Sequence, residues 1–236
     1  MKFQTPLMRA TLLRRYKRFL ADIRLEDGRE VTAHCANPGA MTGLAEPGMT
    51  VWAEPNDDPG RKLKFSWKLA ELPGGHMACV DTSLPNRLVA EALAEGRISE
   101  LAGYDHIRPE VKYGENSRVD FLATGAGRPD CYVEVKAVTL CREPGLAEFP
   151  DTRTARGTKH LQELVKVMDE SARAVMLYVV HRDDCARVTV AADIDPAYGR
   201  AWQAAREAGV EMLARGCEIS PRGVTLGAAL PVIPFN

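Results

Sequence analysis

The chain has 236 residues, of which 45% are hydrophobic and 27% are charged, and its formal net charge is −1. This composition is ordinary for a soluble protein with a real hydrophobic core. No apolar run approaches the roughly 18–20 residues that a helix needs to span a bilayer, which excludes a membrane-spanning chain.

The N-terminal segment does not have the long apolar core of a secretory signal. The six cysteines are at least ten positions apart, so the sequence contains no CxxC pair for a metal or a redox centre. We therefore expect a cytoplasmic protein whose thiols are free.

The most basic stretch is residues 9–24, which hold six Lys and Arg against one acid and therefore carry +5. Clustered cations attract phosphates, and interleaved aromatic rings can stack on unpaired bases. The candidate nucleic-acid-binding residues here are Arg14, Arg15, Tyr16, Lys17 and Arg18. The alternative is a solvated basic edge strand, since basic side chains protect strand edges.

The first eighty or so residues are predicted to form short strands separated by turns. Residues 20–25 alternate apolar and polar, Glu26-Asp27-Gly28 indicates a hairpin turn, and residues 31–35 form the return strand. Further strands are predicted at 49–54 and 62–72. About five short strands suit a small β-barrel, and the OB-fold is one of several such barrels.

The pattern changes near residue 83, so we predict two domains, residues 1–83 and 84–236. The second begins with a helix over 87–98 capped by Asn86. The remaining predicted elements are strands at 106–113, 118–124 and 130–140, a helix over 154–171, a buried strand at 174–180, a helix from Asp195-Pro196 to Gly209, and a strand at 210–218. This order predicts a meander followed by crossover units, hence a mixed central sheet.

Three polar residues on neighbouring strands form the strongest candidate site. If Thr124 pairs with Asp130 across the intervening loop, Asp120 lies opposite Glu134, about 4.5–5.5 Å away between Cβ atoms. Lys136 lies two positions after Glu134 and therefore on the same face. Opposed carboxylates need a compensating charge, and Mg²⁺ or Mn²⁺ would supply it. Lys136 could then stabilise charge on a phosphate or orient an attacking water.

Two alternatives compete with this metal site. The alternation of residues 133–136 is also that of an amphipathic strand with a solvated face, on which Val133 and Val135 point inward. A register slip of one residue would separate Asp120 from Glu134.

Four further residues are candidates for the same pocket: Glu91, Glu110, Arg156 and His160. Arg156 and His160 are four positions apart on the predicted second helix, so they share one face, and with Lys159 they could bind a phosphate backbone. A solvated helix face is the alternative for Glu91 and for the Arg156 face.

Several segments, in the same order along the chain, resemble the sugar fermentation stimulation protein A (SfsA) family. The resemblance covers residues 6–217 and lies in Arg15-Tyr16-Lys17-Arg18-Phe19-Leu20-Ala21-Asp22, His34-Cys35-Ala36-Asn37-Pro38-Gly39-Ala40-Met41, Asp81-Thr82-Ser83-Leu84-Pro85-Asn86, Glu110-Val111-Lys112-Tyr113-Gly114, Ser117-Arg118-Val119-Asp120-Phe121, Glu134-Val135-Lys136, Phe149-Pro150-Asp151, Arg156-Gly157 and Lys159-His160-Leu161.

This resemblance implies an N-terminal OB-like barrel followed by a restriction-endonuclease-like α/β domain of the PD-(D/E)xK type. In that nuclease fold an acid on the second strand and a (D/E)-x-K motif on the third bind metal and carry catalysis. Those positions correspond to Asp120, Glu134 and Lys136. The family is described as DNA-binding and linked to the regulation of sugar metabolism.

Three functional hypotheses follow. The first is a DNA-binding protein with an Mg²⁺- or Mn²⁺-dependent phosphodiesterase site, acting on single- or double-stranded DNA or on RNA. The second is a non-catalytic DNA-binding regulator, which would contact mainly the backbone since no helix-turn-helix is predicted. The third is a sugar-pathway sensor without a nucleic-acid role. The sequence does not indicate an oligomeric state.

Overall fold

The computed structural model describes residues 1–114, 117–168 and 172–235. Six strands occupy its N-terminal region: β1 Met8–Tyr16, β2 Leu20–Leu25, β3 Glu30–Cys35, β4 Thr50–Pro55, β5 Phe65–Glu71 and β6 Met77–Cys79. They are ordered β3-β2-β1-β4-β5-β6, and a parallel β3–β5 pairing closes the first five into a barrel. The predicted small barrel is therefore confirmed, and its connectivity is that of an OB-fold.

The barrel interior is filled by alternating side chains from several strands. Leu12, Ile23 and Trp67 are fully buried in one hydrophobic cluster. The alternative interpretation of the basic stretch as an edge strand is wrong, because β1 pairs with β2 on one side and with β4 on the other. Closure of the barrel leaves the basic side chains on a convex outer face.

The rest of the chain contains three helices and nine strands among the described residues: α1 Leu84–Ala94, β7 His106–Tyr113, β8 Ser117–Thr124, β9 Cys131–Val138, β10 Leu140–Glu143, β11 Leu146–Phe149, α2 Ala155–Met168, β12 Arg173–Val180, β13 Arg187–Val190, α3 Pro196–Glu207, β14 Glu211–Ser220 and β15 Gly223–Ala229. The end of the predicted helix over 154–171, at Ser171, lies outside the described residues.

The main sheet has the order β15-β14-β12-β9-β8-β7. Strands β7, β8 and β9 form the predicted antiparallel meander, and β12 is parallel to both β9 and β14, as the crossover helices require. Two features were not predicted. Strand β15 extends the sheet after β14, and β10, β11 and β13 form a separate three-stranded sheet.

Helices cover both faces of the main sheet. On β12, Val175 and Leu177 pack in the cluster that contains α1, whereas Met176 and Tyr178 pack in the cluster that contains α2 and α3. The continuous apolar run of β12 is explained by this burial on both faces.

Helix α1 begins at Leu84, three residues earlier than predicted. Asp81 accepts hydrogen bonds from the Ser83 backbone N–H and hydroxyl, and Pro85 occupies the first turn, where its missing N–H costs nothing. Asn86 is therefore not the N-cap residue, and its side chain is available for another role.

The two domains are joined by backbone hydrogen bonds as well as by the chain itself. The Cys79 N–H on β6 donates to the carbonyl of His181, just after β12, over 2.8 Å. Ala78 and Arg182 form an isolated β-bridge at the same place. This junction fixes the barrel at the C-terminal end of β12. No helix in the described part of the chain is long and apolar enough to cross a membrane.

Candidate metal and nucleic-acid site

The register between β8 and β9 brings two acids together. Phe121 pairs with Val133 and Ala123 with Cys131, which is the predicted register. The ladder ends at the Phe121–Val133 pair, and beyond it the Asp120 Oδ2 atom accepts a hydrogen bond from the Val135 backbone N–H over 2.7 Å. The Asp120 carboxylate thus accepts the hydrogen bond that a backbone carbonyl would accept in a regular sheet, and it does so beside Glu134.

The alternation of β8 is interrupted at Asp120. Val119 packs in the cluster with α2, whereas Phe121, two positions later, packs in the cluster with α1. In a regular strand these two side chains would share a face. On β7, Glu110 stands beside Asp120 in register and has a left-handed φ of +54°. The irregular backbone turns the Asp120 carboxylate toward β9.

Glu134 is buried under α2 and is only 2% exposed. Its Oε1 atom accepts a hydrogen bond from Lys136 Nζ over 2.6 Å and is in close contact with His160 Nδ1. The interpretation of this strand as having a solvated face is therefore wrong, because α2 covers the face that carries Glu134. Its Oε2 atom is also buried, and no hydrogen-bond partner for it exists among the described residues.

His160 links α2 to Glu134. Arg156 Nε donates to His160 Nε2 over 3.2 Å, and an arginine can only donate. His160 Nε2 is therefore the acceptor in that contact, and Nδ1 faces both Glu134 Oε1 and Lys136 Nζ, the latter 3.2 Å away. The structure thus brings Arg156 and His160 to the pair formed by Glu134 and Lys136, and the alternative of a solvated face is wrong for His160, which is buried.

Folding shifts the pKa values of the two carboxyl groups in opposite directions. Burial raises the pKa of Asp120, and the negative charge of Glu134 raises it further, against the hydrogen bonds from Val135 and Asn86. Burial acts to raise the pKa of Glu134 as well, but the hydrogen bond from His160 and the charge of Lys136 outweigh it, so this pKa lies below its ordinary value of 4.5. Glu134 is therefore held as a carboxylate at neutral pH.

Asn86 belongs to the site although the sequence pattern assigned it to a helix cap. From the first turn of α1 its Nδ2 atom donates to Asp120 Oδ1 over 2.7 Å. The signal that could have identified it is its position in the Asp81–Asn86 segment. A second omission is Tyr113, whose hydroxyl is buried without a hydrogen-bond partner among the described residues. Burial and then the negative charges of Glu134, Glu163 and Asp120 raise the pKa of Tyr113.

The site opens into a cleft of about 780 Å³ between the barrel and the second domain. Cations predominate among its charged lining residues, although Glu148 and Asp151 also line it. The cationic and site residues that line it are Arg18, Asn86, Lys136, Arg153 and Arg156. Asn86 and Lys136 thus connect the open cleft to the two carboxylates behind them.

Two predicted pocket residues do not join this arrangement. Glu91 lies on α1, where its carboxylate forms an ion pair with the Met1 amino group over 3.1 Å. Glu110 is exposed, and neither residue lines the cleft.

Some residues of the basic stretch make ion pairs and hydrogen bonds with other residues of the barrel. Arg14 forms an ion pair with Asp22 over 2.7 Å and lies over the Tyr16 ring, and Tyr16 donates to the same carboxylate. Arg15 donates to the carbonyls of Asn37 and Gly39, and so holds one wall of the cleft.

Other members of the predicted nucleic-acid-binding set are open to solvent. Lys17 and Arg18 are exposed at the tip between β1 and β2, and Lys159 is exposed on α2. These side chains can therefore meet a backbone without rearrangement of the fold.

The donor set fits a divalent cation. The buried, unpartnered Glu134 Oε2 is an anionic oxygen that the protein leaves open, and Asp120 supplies a second carboxylate beside it. No group of three or more His, Cys, Asp and Glu side chains in the described ranges is arranged for a metal. Hard cations such as Mg²⁺ often use one or two carboxylates, with waters and substrate phosphate as further ligands, so two are enough.

Comparison with known proteins assigns the family. Residues 83–223 match the "Sugar fermentation stimulation protein RE domain", and residues 13–80 match the "SfsA N-terminal OB domain". The chain belongs to the SfsA family. The expected OB barrel followed by a mixed-sheet α/β domain is thus confirmed by the family match as well as by the fold.

Whole-chain relatives agree with this assignment. A sugar fermentation stimulation protein homolog of Ruegeria sp. is 62% identical over 231 residues, which cover 98% of this chain and 100% of the relative. A homolog of Jannaschia sp. is 61% identical and covers 99% of this chain and 98% of its own length. The structure of Pyrococcus furiosus SfsA in complex with Ca²⁺ superposes with a TM-score of 0.87 at 28% identity, over 99% of this chain and 98% of that one.

Proposed function

We propose that this SfsA protein binds DNA and hydrolyses phosphodiesters at a divalent-metal site formed by Asp120 and Glu134, with Lys136 as the adjoining cation. The observation that carries the proposal is the buried Glu134 Oε2, which has no partner within the described residues and lies behind Lys136, a residue that lines the cationic cleft. An unpartnered buried carboxylate oxygen costs free energy, so its retention indicates a ligand. The Ca²⁺ in the archaeal relative supports a divalent ion, and we propose Mg²⁺ or Mn²⁺ here.

The residues of the chain would divide the work as follows. Asp120 and Glu134 would hold the cation, which when bound supplies Lewis-acid catalysis for phosphodiester hydrolysis. Lys136 lines the cleft and carries a positive charge toward a scissile phosphate. Arg18, Arg153 and Arg156 would attract the flanking phosphates. Asn86 and His160 are positioning residues, because they act through Asp120 and Glu134.

Cleavage assays test this proposal directly. Wild type, Glu134→Gln and Lys136→Met are incubated with labelled single- and double-stranded DNA in Mn²⁺, in Mg²⁺ or in EDTA. We expect metal-dependent products from the wild type and rates lower by about 100-fold or more in both variants, the usual effect of removing a group that stabilises the transition state. Lys112→Met, at an exposed lysine on β7 outside the cleft, is the matched control and should cleave like the wild type.

Metal binding has a readout that does not need activity. A cation that binds only the folded state raises the melting temperature. Mn²⁺ should therefore raise that of the wild type and leave that of Glu134→Gln unchanged. Cleavage in EDTA, or full activity in Glu134→Gln, would contradict the proposal.

One observation favours a second candidate, a non-catalytic DNA-binding protein. Lys136 already compensates the charge of Glu134, and no third ligand completes a metal cluster among the described residues. Such a protein would bind DNA with a steep salt dependence and release no product in any metal. The name of the family suggests a role in sugar metabolism. DNA binding alone would then have to account for that role.

A further inference from the structure

Phe19 is the only large hydrophobic side chain in the described ranges that is exposed, at 46%. It ends a tight turn between β1 and β2, in which Lys17 and Arg18 have left-handed φ values of 48° and 63°. Its backbone is fixed on both sides, because Phe19 N–H donates to the Lys17 carbonyl over 2.7 Å and its own carbonyl accepts from Cys35 N–H over 2.9 Å. The fold thus holds an aromatic ring in solvent on a rigid backbone.

A second ring supports the first. Phe19 and His34 are stacked, with 15° between their planes and 6.4 Å between their centroids. His34 is also exposed and lies on β3, where it pairs with Leu20. Two neighbouring, nearly parallel rings that are exposed to solvent can stack with a third planar group. A nucleobase meets this requirement, since every base has a π-face that stacks on aromatic side chains.

The surroundings favour a nucleic-acid strand over other flat ligands. Arg18, the neighbour of Phe19, lines the 780 Å³ cleft that contains Lys136. His34 lines another cleft, of about 330 Å³, together with Arg61 and Arg87, although Glu54 and Asp81 also line it. Arginines therefore line both the cleft next to Phe19 and the cleft next to His34, which suits a chain of phosphates.

The position of the rings within the barrel agrees with this. OB-folds bind oligonucleotides on the face of strands 2 and 3 and with the loops that join strands 1–2 and 4–5. Phe19 lies in the first of these loops, His34 on β3, and Arg61 in the loop between β4 and β5. Three separate elements thus converge at the place where the fold type presents its ligand.

We propose that Phe19, supported by His34, stacks on an unpaired base of a single-stranded nucleic acid whose backbone passes Arg18 into the cleft. A duplex keeps its base faces inside its own stack, so it cannot use this site without opening. The inference rests on the proposed nucleic-acid-binding function and adds to it that the bound segment is single-stranded beside the candidate metal site.

The test compares an oligo(dT) strand with a strand of the same length made only of abasic nucleotides, for wild type, Phe19→Ala, Phe19→Leu and Phe19→Trp. Base–aromatic stacking is worth about 1–3 kcal/mol per base, so we expect Phe19→Ala to bind oligo(dT) about tenfold more weakly. The abasic strand should bind Phe19→Ala and wild type equally. Phe19→Trp should bind oligo(dT) like the wild type, because it keeps a ring.

Phe19→Leu is the matched control, because it keeps apolar area and removes the ring. It should behave like Phe19→Ala, and wild-type affinity in Phe19→Leu would overturn the stacking site. Equal binding of both strands by wild type and Phe19→Ala would also overturn it, while leaving nucleic-acid binding intact. If the wild type binds a duplex of the same length but neither single strand, the inference alone is overturned. If it binds none of the three, the proposed function is refuted as well.

Discussion

Asp120 and Glu134 lie side by side on neighbouring strands, yet their partners differ in charge. Glu134 is paired with the cation of Lys136, so folding lowers its pKa despite its burial. Asp120 is paired only with neutral donors, Asn86 and the Val135 N–H, and the burial and the charge of Glu134 raise its pKa. The site therefore contains one carboxylate that stabilises the fold at neutral pH and one that costs stability there.

Whether each carboxylate stabilises or destabilises the folded state follows from the direction of its pKa shift. The stabilising effect of Glu134 is present above its ordinary pKa of 4.5 and is lost as the pH falls through the lower folded value. The cost of Asp120 is present above its raised folded pKa and disappears as the pH falls through that value toward 3.8.

We predict that Asp120→Asn raises the melting temperature at pH 7 in EDTA. An asparagine can accept from Val135 N–H and donate to a reoriented Asn86, so both hydrogen bonds survive without the buried charge. The advantage should shrink as the pH falls through the raised folded pKa of Asp120 toward 3.8, since the wild-type carboxylate then becomes protonated. Thermal unfolding across this pH range measures the difference. A lower melting temperature for Asp120→Asn at pH 7 would show that the carboxylate itself stabilises the fold.

At the scale of elements, Asp195 makes hydrogen bonds at the start of α3 and just before α2, the two helices on one face of the main sheet. Asp195 Oδ1 accepts from the N–H groups of Ala197 and Tyr198, and so caps α3. Its Oδ2 accepts from Thr154 N–H, immediately before α2. Because α2 carries His160, this cap also helps to position a residue of the candidate site.

Asp195→Ala should lower the free energy of unfolding by about 1–2 kcal/mol, the usual effect of losing an N-cap side chain. For a chain of this size each kcal/mol corresponds to roughly 2–4 °C in melting temperature. Asp193→Ala is the matched control two positions away. Asp193 is 64% exposed and pairs with Arg142 at the surface, so its loss should cost less than about 1 kcal/mol. Equal losses of unfolding free energy in the two variants would mean that the Asp195 cap contributes no more to stability than a surface ion pair does.

At the scale of the whole molecule, the cleft exists because the barrel and the second domain meet closely. The loop after β3 approaches the segment after β11, where Met41 N–H contacts Asp151 Oδ2 over 3.4 Å. Gly39 lies so close to the Asp151 carboxylate that any Cβ atom there would overlap it. The absence of a side chain at Gly39 therefore allows the two walls of the cleft to approach.

Gly39→Ala should destabilise the protein by about 0.5–1.5 kcal/mol, because the Asp151 carboxylate must rotate away from the new Cβ atom and lose its contact with Met41 N–H. Asp151→Ala in the same chain should relieve most of that loss, because it removes the atoms that clash. Denaturant unfolding of the wild type, both single variants and the double variant gives the coupling energy between the two positions. Additive losses without rescue would show that the clash lies elsewhere or that the loop moves away.

The sequence by itself determined most of the elements and the register between β8 and β9, but neither β15 nor the three-stranded sheet. Alternation predicted the barrel strands and the β8–β9 register, because side-chain period and turn chemistry are local properties of the chain. The apolar run at 174–180 and the Asp195-Pro196 start of α3 were likewise predictable from local signals.

Only the tertiary structure decided which distant residues complete the site. His160 meets Glu134 because α2 packs on that face of the sheet, and Asn86 meets Asp120 because α1 begins three residues early. Pairing of β1 with both β2 and β4 removed the expected edge from β1, and the fold left Phe19, rather than Tyr16, as the exposed ring. Such contacts depend on how whole elements pack against one another, and local periodicity carries no information about that packing.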